Sequence, residues 1–140
     1  MSEKIRIVVA EPGKLPAVTF ISDSLKGMQQ IVGGYIELFK TTESVIDLFC
    51  NEEGKLINLE CNRYFPELQD IVCGTIIAIG HDDEGASVSL TDEQVKEAIQ
   101  MFTEKYPPSL FERVENGISI KTDWNWKSAF IAIGRFPEEK

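Results

Sequence analysis

Apolar and polar positions change period several times along the chain. Ile5 to Ala10 (IRIVVA) is β-branched and partly alternating, which predicts a strand. Glu11-Pro12-Gly13-Lys14 predicts a turn, and Ala17 to Ile21 (AVTFI) the returning arm of a hairpin. In SDSLKGMQQIVGG, Leu25, Met28, Ile31 and Val32 recur at helical spacing. Ser22, Asp23 and Ser24 are competent N-caps, and Gly33 suits the left-handed residue that ends a helix. Tyr35 to Thr41 and Val45 to Cys50 predict a second hairpin. After the turn Asn51-Glu52-Glu53-Gly54, Lys55 to Glu60 predicts a short strand, and Asn62 to Gln69 an irregular stretch that Pro66 keeps out of a ladder. Ile71 to Gly80 (IVCGTIIAIG) is the most apolar run and predicts one central strand buried on both faces, with Gly74 at a bulge or a close approach. His81 to Gly85 predicts a solvated turn.

Thr91 and Gln94 form a capping box that opens a helix with Val95, Ile99, Phe102 and Tyr106 on one face, stopped by Pro107 and Pro108. Glu115-Asn116-Gly117, flanked by Val114, Ile118 and Ile120, predicts a hairpin, and Ser128 to Gly134 a last strand. The sum is one α+β domain over residues 1–140, a mainly antiparallel sheet of about six to eight short strands with two helices.

Composition narrows the partners. A chain of 140 residues is one domain's length, and 43% hydrophobic with 26% charged residues suits a globular core. The net charge of -9 argues against a nucleic-acid polymer or an anionic membrane as partner, because phosphates need clustered cations. A small anionic ligand needs only a few local cations and stays open. Three cysteines at spacings of eleven and twelve residues fit neither a disulfide framework nor a metal knuckle, so Cys50, Cys61 and Cys73 read as packed thiols of a cytosolic protein. The N-terminus lacks the features of a signal peptide, and no apolar run is long enough to span a bilayer.

Catalytic chemistry is sparse. His81 is the single histidine and sits in the acidic run HDDE, open to an acid/base or metal role; metal sites need three or four convergent ligands, which favours a solvated turn. No phosphate-binding glycine loop, nucleophile elbow or zinc motif occurs. The expectation is a protein that is not an enzyme and holds no cofactor and no metal. Three segments read as binding chemistry. Asn62-Arg63-Tyr64-Phe65 combines an amide, a planar cation and two rings, or else two core aromatics beside an exposed arginine. Gly33-Gly34-Tyr35 is a flexible site beside a ring, or an ordinary helix cap. Trp124-Asn125-Trp126-Lys127 is an aromatic platform, an oligomer interface or a core corner.

Gly33-Gly34-Tyr35-Ile36-Glu37, Asn51-Glu52-Glu53-Gly54, Asn62-Arg63, Gly74-Thr75 and Ser89-Leu90-Thr91-Asp92-Glu93, in this order and spacing, resemble a small domain of unknown function spread among bacteriophages, prophages and mobile elements of Firmicutes. The resemblance covers about residues 5–105 and leaves 106–140 as a C-terminal extension without a matching motif. That group is similar to the first-described class of phage anti-Thoeris sponge proteins. The resemblance implies a homodimer or higher homo-oligomer in the host cytoplasm. It would bind a cyclic ADP-ribose isomer or related cyclic nucleotide without cleaving it, in pockets near subunit interfaces. Such a ligand asks for cations, amides and a stacking face. Arg63 is then the phosphate or ribose ligand with Asn62 beside it, Lys26 and Arg113 are secondary cations, and Tyr35 and Phe65 are stacking faces. Only the roles of Asn62 and Arg63 rest on a motif match; the other four are chosen by chemistry. Two alternatives stand: an acidic, DNA-mimicking inhibitor that occupies a host defence enzyme and lines its carboxylates on one face, and an accessory domain of a mobile element.

Overall fold

The computed structural model describes residues 4–54, 56–65, 67–104, 111–114 and 117–120, the last two segments as backbone. Alternation builds the first hairpin as expected: β1 (Ile5–Ala10) pairs antiparallel with β2 (Ala17–Ile21), Ile7 opposite Thr19. Helix α1 (Ser24–Val32) starts at Asp23, whose carboxylate accepts from the Lys26 N–H at 2.9 Å, and ends at Gly33 with φ 79°. Strands β3 (Ile36–Thr41) and β4 (Ile46–Asn51) make the second hairpin, with a bulge between Leu38 and Lys40. Next come β5 (Cys61–Phe65), β6 (Asp70–Cys73), β7 (Ile76–His81) and β8 (Ser87–Val88). Helix α2 (Asp92–Glu104) precedes the hairpin of β9 (Phe111–Val114) and β10 (Gly117–Ile120) that the Asn-Gly turn predicts.

The main sheet runs β2-β1-β7-β4-β3, with β8 joined to β7 as its sixth strand, and every pairing is antiparallel. This is the α+β class, with two helices. Both sheet faces are covered, which is why β7 is buried along almost its whole length. On one face Val8, Ala10, Leu48, Ile76 and Ala78 pack beneath Ala98 and Phe102 of α2 and Phe65 and Val72 of the β5–β6 hairpin. On the other, Ile7, Val9, Ile77 and Ile79 pack beneath Met28 and Val32 of α1. Burying an Ile or Phe side chain in this way contributes about 1.5–3 kcal/mol.

Three expectations are corrected. The strand expected from Lys55 to Glu60 does not form over its described residues, 56–60: Ile57 donates to Glu53 and Leu59 to Gly54 in a compact turn with Asn58 at φ 60°. Asn62 to Gln69 is not irregular throughout: β5 is a fully buried strand that ends at Phe65, before Pro66. Ile71 to Gly80 is not one strand but two, in different sheets. Gly74, at φ 89°, leaves extended geometry between them; a side chain there would collide with Leu59. Tyr106, Pro107, Pro108, the Trp124–Lys127 segment and the expected strand from Ser128 lie outside the described residues.

Candidate functional site

The motif residues converge, but inward. Asn62, on β5, is fully buried, and its amide donates to the Ala10 and Gly74 carbonyls, both at 2.7 Å. Its oxygen accepts from Arg63 Nη1 at 2.5 Å. Arg63, 5% exposed, donates through Nε to the Phe102 carbonyl at 3.1 Å, through Nη1 to Glu11 at 3.2 Å and through Nη2 to Lys14 at 3.0 Å. One guanidinium thus joins β5 to the end of α2 and to the β1–β2 turn. All four of these acceptors are neutral, and burial lowers the Arg63 pKa from its ordinary value by desolvation. The Asn62 amide is therefore fully used inside the fold, and the arginine's fork is directed at backbone. Neither group lines the concavities formed by the described residues.

The other motifs share this role. Asn51 donates to the Val32 carbonyl at the end of α1 at 3.1 Å and accepts from the Glu53 N–H at 2.7 Å. A Cβ on Gly34 would come within 2.8 Å of the Asn51 amide nitrogen, and one on Gly54 would strike the Cys73 carbonyl. Ser89 accepts from the Arg6 N–H at 2.9 Å, and the Arg6 guanidinium holds the Leu90 carbonyl and bridges to Asp92 at 2.8 Å. Thr91 and Gln94 close the expected capping box, at 2.9 and 3.1 Å. These residues are the polar skeleton of the fold: each fixes a turn or a strand crossing where backbone groups would otherwise be buried unpaired.

The remaining candidates do not meet in one pocket. Phe65 is fully buried and stacks edge-on against Phe39, with centroids 5.1 Å apart, so both its faces are core. Lys26 lies exposed in the first turn of α1, whereas Tyr35, 70% exposed, follows the helix's far end. Arg113 belongs to β9, and its side chain lies outside the described residues.

Sequence reasoning missed a concavity among the described residues. A groove of about 450 Å³ lies between β3, the outer strand of the sheet, the Asn51–Gly54 turn and β6. Its lining includes Phe39, Leu56, Leu68, Ile71 and Val72, with Cys50 and Cys73 among them. Glu37, Glu52, Glu53 and Asp70 also line it, all four exposed. No Lys, Arg or His occurs among the described residues lining it. Carboxylates over an apolar floor select a partner that is both cationic and apolar. The sequence signal was the alternation of acidic and apolar residues in IELF and in the turn NEEG; pairing of β5 with β6, which creates the opposite wall, could not be read from it.

His81 is not in a solvated turn but closes β7, where its Nδ1 lies 2.9 Å from Asp47 Oδ1, which also accepts from the Thr41 hydroxyl at 2.8 Å. The histidine thus closes a strand end. Among the described residues no three His, Cys, Asp or Glu side chains converge as metal ligands, and no helix is long and apolar enough to cross a membrane. All three cysteines are buried thiols.

Comparison with known proteins adds a family and no activity. The family described as Domain of unknown function (DUF3846) matches residues 5–103. No curated protein and no solved structure matches the chain.

Proposed function

The chain belongs to the DUF3846 family, whose match at residues 5–103 spans the main sheet, α1 and all but the last residue of α2, and from the groove we propose that it is a non-enzymatic binding protein that captures a basic, partly apolar segment of another protein between β3 and β6. The observation that carries this is the composition of the groove, four exposed carboxylates over an apolar floor with no described cation. It favours the acidic-inhibitor reading, in which a host defence enzyme is occupied in the host cytoplasm. Isothermal titration with a peptide of alternating Lys and Leu tests it. Saturable binding that weakens at least tenfold between about 0.05 and 0.3 M salt, and that Glu52→Gln with Glu53→Gln removes, supports the proposal. No binding at millimolar peptide rejects it.

Sequestration of a cyclic ADP-ribose isomer, the activity that the resemblance implies, is the second reading. Tyr35 favours it: of the two aromatic candidates it alone presents a bare ring. With Asn62 and Arg63 held inside the fold, the phosphates would be met by Lys26 and by cations of a second subunit. Gel filtration of protein mixed with the nucleotide, followed by heat release, decides: co-elution and recovery of intact nucleotide supports this reading over the first.

A further inference from the structure

The edge of the main sheet opposite the groove is β2, which has no partner on its outer side among the described residues. Ala17, Val18, Thr19 and Phe20 are all exposed, Val18 at 41% and Phe20 at 54%. Edge strands are ordinarily guarded by a charge, a proline or a bulge, because their outward N–H and C=O groups template further pairing. Here the strand AVTFI contains no charge and pairs with β1 in unbroken register over all its residues. Leu15, 80% exposed, extends the apolar surface into the turn before it.

We propose that β2 is the self-association edge of the protein, pairing antiparallel with β2 of a second copy across a two-fold axis at Thr19. Charge points to a second copy. The chain carries a net charge of -9, yet residues 11–26 hold only Glu11 and Asp23 against Lys14 and Lys26, so two copies meet where each is locally neutral. The groove carboxylates sit at the far edge of the sheet, on and beside β3. Register follows from the faces. Thr19, Ala17 and Ile21 oppose Ile7, Val9 and Ile5 of β1, whereas Val18 and Phe20 oppose Val8 and Arg6, on the other face. A two-fold axis keeps faces matched only when a residue pairs with its own equivalent or with one an even number of positions away. Centring on Thr19 overlaps the whole strand: Thr19 meets Thr19, Val18 meets Phe20 twice, and Ala17 meets Ile21 twice. These are hydroxyl–hydroxyl and β-branched–aromatic pairs of the kind that stabilise sheets. Centring on Val18 would bring Pro16, which has no N–H, opposite Phe20. The paired sheet would be continuous across both copies, with a groove at each end.

Analytical ultracentrifugation of the full chain tests the association, and cysteine cross-linking the register. The wild type is expected at twice the chain mass, and Thr19→Lys at the monomer mass with an unchanged circular dichroism spectrum. Thr19→Cys is expected to form an interchain disulfide under mild oxidation, since opposed Cβ atoms lie about 4.5–5.5 Å apart. Ala17→Cys, which would face Ile21 of the other copy, is expected to form none. A wild type that stays monomeric at about 0.5 mM, as it would if residues 128–134 of the same chain occupied the edge, overturns the proposal. So does a dimer that Thr19→Lys leaves intact, or equal cross-linking through positions 17 and 19.

Discussion

Arg63 separates a fold-building role from a ligand-binding one. A ligand-binding arginine can be replaced by alanine with little effect on folding. The geometry here predicts the opposite. Arg63→Ala removes donors to the Phe102, Glu11 and Lys14 carbonyls and to the Asn62 amide oxygen. A hydrogen bond from a charged donor contributes about 1.5–3 kcal/mol, and each buried acceptor left without a partner costs about 1–3 kcal/mol. These terms overlap, and relaxation admits some water at the turn. The net loss is therefore set at about 3–5 kcal/mol, as for other broken buried polar networks. For a chain of 140 residues, each kcal/mol moves Tm by about 3–4 °C, so the expected drop is about 10–20 °C. Thermal and urea melts followed by circular dichroism read it directly. Arg63→Lys keeps the charge but reaches one acceptor cluster instead of three, so it recovers only about a third of the loss. Because the acceptors are neutral, the loss should be the same at about 0.05 and 1 M salt. An Arg63→Ala protein that melts within about 3 °C of the wild type would refute the clamp and return Arg63 to the list of ligand contacts.

Asn62→Ala strands the Ala10 and Gly74 carbonyls and is expected to cost about 2–4 kcal/mol; combined with Arg63→Ala the losses should fall short of additive by about 1 kcal/mol or more in a double-mutant cycle of urea melts, since the two side chains bond to each other. Gly54→Ala drives a Cβ into the Cys73 carbonyl and should lower stability by about 1–3 kcal/mol in the same assay, because the carbonyl is backbone and cannot swing aside as a flexible side chain would. Tyr35→Ala should leave the melt within about 0.5 kcal/mol of the wild type, and loss of nucleotide retention by this variant would identify the ring as a contact. Titration with a thiol reagent should find no fast-reacting cysteine in the native protein and three after denaturation in urea, given that Cys50, Cys61 and Cys73 are all buried.

What the sequence could reveal is what local physics determines. The Asp23 cap, the Thr91–Gln94 box, the hairpin of β1 with β2 and that of β9 with β10 each depend on a few adjacent residues, and each forms where the pattern puts it. The errors cluster between Gly54 and Gly74, where long-range bonds decide. Apolar LINLE reads as a strand, but its backbone bonds back to Glu53 and Gly54 in a turn that gives Leu59 to the space beside Gly74. Gly74 reads as a bulge inside one strand, but its carbonyl is taken by Asn62 and its N–H by Glu60, and the chain changes sheets. Asn62-Arg63 reads as ligand chemistry because an amide beside a guanidinium suits phosphate; the same donors suit a cluster of backbone carbonyls equally well, and composition cannot tell the two apart.

That equivalence bears on how motifs mark function in a small domain. A fold that crosses from one sheet to another and threads two helices over it exposes backbone groups at every crossing, and each must find a partner. Here the partners are Asn51 at the end of α1, Asn62 and Arg63 between β1, α2 and the β5–β6 hairpin, and Arg6 and Ser89 before α2. Residues so used cannot also change with the ligand. A surface that adapts to a partner must then be built from other positions: the carboxylates around the groove and the uncharged edge of β2, which no crossing requires. Altering the exposed carboxylates Glu37, Glu52 or Glu53 should therefore change what is bound while leaving the fold in place, whereas altering Asn51, Asn62, Arg63 or Arg6 should change the fold first and binding only through it.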